Sequence, residues 1–194
     1  QIIEIINTEA PQLICVDDVV ADNTGNCEGY VSIPVPTYVE DGCNTGLFIT
    51  HDSQYADNPN GADASGTYPV GLTIVTFTLE DECGNQSQCT VEVLVTDVTP
   101  PICVALDITV TLDADGIYNL TPEEIDGGSS DDCGLDYLEV EPNFFDCNDI
   151  GENTVTLTVY DLAGLSSTCT AVVTVEDGSG DLCSTQDIEI ILDG

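Results

Sequence analysis

The chain repeats itself, and the repeat limits its fold more than any other feature. Cys89 and the alternating run behind it, residues 89–97, align with Cys169 and residues 169–177 at an offset of 80. Each of these cysteines follows an alternating segment that ends in a turn. The first runs from Thr73 to Asp81 and turns through Glu82-Cys83-Gly84-Asn85; the second runs from Thr154 to Asp161 and turns through Leu162-Ala163-Gly164. An acidic residue closes each terminal strand, and a cysteine stands six positions later: Glu9 and Cys15, Asp97 and Cys103, Asp177 and Cys183. Residues 107–113 then match residues 187–193. A period of 80 to 88 residues is too long for the rung of a solenoid, so each unit is a domain with its own core.

Within each unit the side chains alternate with period two. Thr73, Val75, Phe77 and Leu79 share one face, with Ile74, Thr76 and Thr78 on the other, and residues 154–160 alternate more cleanly. Short Val, Ile, Thr and Tyr runs bounded by Gly, Asn, Asp and Pro predict antiparallel sandwiches. The one helical turn predicted is Thr121 to Ile125, with Thr at the N-cap, Pro next and acids in the first turn. The chain reads as all-β: two tandem sandwiches at 10–98 and 99–178, a terminal strand at 1–9 and the start of another strand at 179–194.

Composition narrows the function classes. With 42% hydrophobic residues the chain is no disordered acidic tail, and no apolar run reaches the ~18 residues of a membrane span. There is no Lys or Arg against 37 Asp and Glu, which removes any surface for nucleic acid or anionic lipid. An electrostatic partner must be cationic: metal ions, a basic protein or a basic polymer. Spread evenly, these carboxylates stand about 15 Å apart, beyond the ~8 Å screening length, so only clusters repel strongly. Ten cysteines with no C-x-x-C pair and a single His fit no zinc ribbon and place the protein outside the cytoplasm. A start at Gln1 with no leader reads as a mature product or an excerpt.

The motifs resemble the hyalin repeat, an immunoglobulin-like module of animal surface proteins and of bacterial adhesin-like proteins. In the first domain the resemblance rests on Ile14-Cys15, Gly25-Asn26-Cys27, Pro36-Thr37, Glu40-Asp41-Gly42-Cys43, Tyr68-Pro69-Val70-Gly71 and Asp81 through Cys89. The second keeps Cys103, Asp131-Asp132-Cys133-Gly134, Asp161 through Gly164 and Cys169, but departs at Phe145-Asp146-Cys147 and Ile150-Gly151-Glu152. The resemblance implies adhesion or scaffolding without a catalytic site. A sandwich of this kind starts its first and last strands side by side, which implies Cys15–Cys89 and Cys103–Cys169. Its loops imply Cys43–Cys83 and, in the second domain, Cys133–Cys147. Cys27 and Cys183 are left over, to pair with neighbouring units, with each other across units, or to stay free. The Ile-rich ends, residues 2–6 and 188–192, lack a host sheet within the two domains. Either the chain is a window in a longer array, or its ends complete sheets of neighbouring copies in a head-to-tail filament.

Calcium is the cofactor to which the acids point, since hard cations take several carboxylate and carbonyl oxygens at one place. The candidate ligands are Glu40 and Asp41 with Asp81 and its neighbours Glu80 and Glu82, Asp131 and Asp132 with Asp161, and the linker acids Asp97 and Asp177. Asp113 and Asp115 match only the first half of an EF-hand loop. Against this stands the plain reading of turn acids, which Asp favours for backbone reasons. No enzyme is predicted. His51, Asp52 and Ser53 are adjacent on an extended segment, point to opposite sides and make no triad, and His51 reads as a surface residue. Tyr30, Tyr38, Tyr55, Tyr68 and Phe48 either line a cleft or pack in cores and edges. Asn85 and Asn119 head glycosylation sequons. The functional reading is a structural unit of an extracellular filament or long surface adhesin, the alternative a glycan- or protein-binding module. Its partners are homopolymeric neighbours or adjacent repeats.

Overall fold

The structure, a computed structural model, describes residues 7–39, 46–178 and Cys183. It divides into two units, Gln1–Thr99 and Pro100–Gly194. The predicted strand ends at residues 1–6 and 184–194 lie outside the described residues.

Unit 1 contains β1 (Gln12–Ile14), β2 (Val19–Asp22), β3 (Glu28–Val31), β4 (Thr37–Val39), β5 (Phe48–His51), β6 (Gly66–Pro69), β7 (Gly71–Glu80) and β8 (Gln86–Thr96). A four-stranded sheet in the order β2-β8-β7-β5 is accompanied by the ribbons β1-β4 and β3-β6. All neighbours are antiparallel except β2 and β8, where Val19 lies against Val93. The period-two pattern accounts for the core. Val75, Phe77 and Leu79 of β7 and Val91, Val93 and Val95 of β8 point to one side and are buried, together with Val31, Ile33 and Tyr68. The β7–β8 hairpin closes at Gly84, whose φ of +84° would strain any side chain.

Unit 2 contains β9 (Ile108–Thr111), β10 (Ile117–Asn119), α1 (Pro122–Ile125), β11 (Leu135–Glu141), β12 (Phe144–Asp146), β13 (Gly151–Asp161) and β14 (Ser166–Glu176). Its sheet runs β11-β13-β14-β9, beside the ribbon β10-β12. Here β9 is parallel to the last strand, β14, as β2 is to β8. Val155, Leu157 and Val159 of β13, Val173 and Val175 of β14, and Leu120, Ile125 and Phe145 are buried in one core. The hairpin β13–β14 turns at Gly164 with the same φ of +84°. Helix α1 occupies the predicted turn, with the Glu124 carboxylate accepting from the Thr121 amide at 2.8 Å. A second helical turn, of 3-10 type, spans Cys147–Asp149 and was not predicted. It has no apolar periodicity; Asp146 and Asp149 hold it by accepting the amides of Asn148 and Asp146.

Disulfides join Cys15 to Cys89 and Cys103 to Cys169, with Cα atoms 5.8 and 5.7 Å apart. Each ties the start of its unit to the middle of the last strand. The expected bridge Cys133–Cys147 does not form: Cys147 is bonded to Cys183, Cα to Cα 5.2 Å. This also corrects Cys183 as a cysteine left over for a neighbouring unit or for a link to Cys27. The 3-10 turn presents Cys147 to the segment after β14, whereas Cys133 sits in the turn before β11. Cys27, Cys83 and Cys133 are in disulfides as well, so Cys27 is no free thiol. Cys43 lies outside the described residues, and with it the pair Cys43–Cys83.

Candidate functional site

The acids singled out above sit mostly at strand ends, where they hold backbone. Asp81 closes β7 and is buried at 3% exposure. Its Oδ1 accepts the Asn85 amide at 2.7 Å and its Oδ2 the Asn85 side-chain amide at 2.9 Å. Burial alone would raise this carboxyl's pKa. The hydrogen bonds from Asn85 and from the backbone of Cys83 and Gly84 outweigh it and hold the carboxyl below its ordinary value. Asp161 closes β13 in the equivalent place at 1% exposure. Its Oδ1 accepts the amides of Ala163 and Leu165 at 2.9 and 2.8 Å. Leu165 stands where Asn85 stands in unit 1, so the Asp161 Oδ2 is buried without a hydrogen-bond partner among the described residues.

The remaining candidates are similar. Asp97, buried after β8, accepts the Asn23 side-chain amide and the Thr99 amide on Oδ1, both at 3.0 Å. Asp131 accepts the amides of Cys133 and Gly134 at 2.7 and 3.2 Å, and among the described residues its buried Oδ2 has no hydrogen-bond partner. Asp177 is half-buried and accepts the Cys183 amide at 3.1 Å. Asp113 accepts the amides of Asp115 and Ile117, the ordinary bonding of a turn acid. Glu80, Glu82 and Asp132 are exposed, while Glu40 and Asp41 lie outside the described residues. Among the described residues, neither unit taken alone brings three Asp, Glu, His or Cys ligand atoms within 4.8 Å of one another.

His51 is buried rather than exposed, at 9%, with its ring edge against Phe77. Its Nε2 faces the carbonyl oxygens of Asn58 and Asp63, both at 3.1 Å, so that nitrogen carries the proton and donates. The ring fastens the loop between β5 and β6 by this bond. Ser53 donates to the Tyr68 hydroxyl at 2.9 Å, which donates to the Ala64 carbonyl at 2.7 Å. Tyr68 is thus a core residue, whereas Tyr30, Tyr38 and Phe48 are exposed. Of the two sequons, Asn85 is engaged with Asp81 and with the Asn7 carbonyl, while Asn119 is exposed at the end of β10. A groove of about 430 Å³ in unit 2 is open and lies between Pro122, Leu138, Glu141 and Thr156.

One recurring pair escaped the reading of the sequence. Asp18, just before β2, accepts the Glu92 amide of β8 at 2.9 Å, and Asp107, just before β9, accepts the Val172 amide of β14 at 2.7 Å. Each docks the strand it precedes, β2 or β9, beside the last strand of its unit. The signal was an Asp one residue ahead of a β-branched run in both units.

No family model matches the chain. It is 28% identical over 168 residues to hyalin of Lytechinus variegatus, covering 75% of this chain and 30% of hyalin. It is 32% identical over 97 residues to the sushi, von Willebrand factor type A, EGF and pentraxin domain-containing protein 1 of Rattus norvegicus, covering 50% of this chain and 2% of that protein. The fold is similar to the crystal structure of human mucin-like protocadherin EC1-2, with a TM-score of 0.51 at 15% identity over 87% of this chain and 98% of that one. The chain is an extracellular or cell-surface pair of immunoglobulin-like domains. Its hyalin-like character has support from these relatives; a bacterial setting has none. The chain spans less than a third of the curated relatives it matches.

Proposed function

We propose that the chain is a structural repeat unit of an extracellular filament or long surface adhesin that joins end to end with like units. The observation that supports this is the duplication of one mechanical design. In both units one short strand, β2 or β9, is parallel to the last strand, an Asp docks the two, and a disulfide ties the segment ahead of that short strand to the last strand. Pulling on the ends of such a unit loads a covalent tie and a long hydrogen-bonded strand together. The acidic surface, with no cation of its own, keeps such an array hydrated and apart from its neighbours sideways. The joining segments on this reading are 1–9 and 179–194, with their Ile-rich runs at 2–6 and 188–192, and the joints are noncovalent because Cys183 is spent within its own unit.

Calcium stiffening belongs to the same proposal. Its support is the buried Oδ2 atoms of Asp131 and Asp161, carboxylate oxygens with no donor among the described residues. A cation or ordered water satisfies such an atom. Sedimentation velocity and thermal melting in calcium and in chelator test both parts. The expected result is concentration-dependent elongated assembly and a higher Tm with calcium. An unchanged Tm removes calcium, and a monomer at every concentration removes end-to-end joining.

A further inference from the structure

On the outer face of the unit 1 sheet, three neighbouring strands present apolar side chains in one row. Val20 of β2 lies beside Leu94 of β8, and Leu94 beside Leu72 of β7; Ile74 follows Leu72 on the same side of β7. These four are 67, 40, 57 and 57% exposed. At the usual strand spacing of about 4.8 Å the row spans ~10 Å, so the side chains are contiguous. The fold does not need them there. The equivalent row in unit 2 is Thr109, Thr174 and Glu152, with Thr154 in place of Ile74. A contiguous apolar patch with a polar rim marks an interaction site rather than chance exposure.

The rim is acidic. Asp22 flanks Val20 two residues along β2, and Asp18 flanks it on the other side. Glu92 stands beside Leu94 on β8 and opposite Ile74. All three are exposed. We infer that this face docks a polypeptide segment of another protein whose apolar side chains are bordered by Lys or Arg. A second copy of this chain has no Lys or Arg to offer and would bring three more carboxylates to the same contact. Burying those without cations is unfavourable, whereas Lys or Arg over Asp18, Asp22 and Glu92 compensates them while the leucines and Val20 are covered. This surface is independent of the joining of chain ends.

The test is fluorescence titration of the full chain with a short synthetic peptide carrying leucines on one helical face and lysines on the other. The variant V20T/L72T/L94T borrows the threonine character of unit 2 and leaves the charge unchanged. It binds the peptide at least about tenfold more weakly than the wild type at the same salt. A peptide with serines in place of the leucines binds the wild type no better than the variant. D22N/E92Q weakens binding and flattens its salt dependence. Far-ultraviolet circular dichroism and Tm establish that each variant is folded; if the triple variant is not, L72T alone is compared. Equal affinity of wild type and folded variant overturns the inference. So does a wild-type dimer in sedimentation that V20T/L72T/L94T abolishes, since a second copy is then the occupant.

Discussion

Asp81 and Asp161 occupy the same turn of the same hairpin and differ in one neighbour. Asn85 gives Asp81 two hydrogen bonds, and Leu165 gives Asp161 only its backbone amide. Asn85→Leu is therefore expected to lower the Tm of unit 1 by about 5 °C, roughly the effect of one lost hydrogen-bonded pair in a domain of this size; a melt followed by circular dichroism measures it. Tyr118 shows another local coupling. Its hydroxyl donates to the Glu124 carboxylate, and this bond, then burial, pushes the phenol up to about 12. The folded value lies above the ordinary tyrosine value of about 10, so the contribution to stability is full below pH 10 and lost as pH rises through 12. Glu124→Gln removes the charge and brings the phenol down, a change read by the pH dependence of its ultraviolet absorbance. At this scale the sequence was only partly legible. That Asp81 and Asp161 end strands follows from the alternation, but which acid keeps an unpaired oxygen depends on the residue four positions later. His51 was read as exposed because nothing local reveals that two carbonyls converge on its ring.

The long strands were legible because period two survives burial of one face. Thr73–Leu79 and Thr154–Tyr160 fall within β7 and β13, and their Val, Phe and Leu residues fill the cores. Leu157→Ala is expected to destabilise unit 2 by about 2–5 kcal/mol, the range for emptying a fully buried leucine site. Thr154→Ala, at an exposed position of the same strand, should fall within ~0.5 kcal/mol, and denaturant unfolding of both variants checks the contrast. The loops were not legible in the same way. The 3-10 turn at Cys147–Asp149 is held by acid-to-amide bonds with no periodicity to announce them, and it redirects Cys147 to Cys183. A disulfide follows the loop that carries it, so the second-domain pairing was lost where the resemblance to the hyalin repeat was weakest.

For the whole molecule the governing facts are a charge of -37 and the absence of any Lys or Arg. Cohesion comes from apolar cores, strand pairing and disulfides, while carboxylates act by accepting amides. Several do so strongly enough to sit below their ordinary values. The Ser65 hydroxyl and amide lower Asp63. At Asp126, burial opposes the shift, but the side chain and amide of Ser129 and the amide of Gly128 prevail. Glu124 is lowered by the Thr121 amide and then by Tyr118. Lowered folded values mean that the unfolded chain binds more protons, so their stabilisation is full above about pH 4 and lost as pH falls through the folded values. The denaturant midpoint is accordingly expected to fall below pH 4. A midpoint that rises there would show that relief of charge repulsion outweighs these bonds. Two stapled domains of one design were legible in the repeat; the apolar face of unit 1 was not, because it needs the register of three strands.

End-to-end joining is the claim on which the functional reading rests, and electron microscopy of the concentrated, oxidised chain tests it most directly. The account predicts unbranched fibres whose axial repeat is one chain and which dissociate in denaturant without reductant, since Cys147 and Cys183 close on each other. Dispersed single particles at every concentration, or fibres that only reductant dissolves, would contradict it.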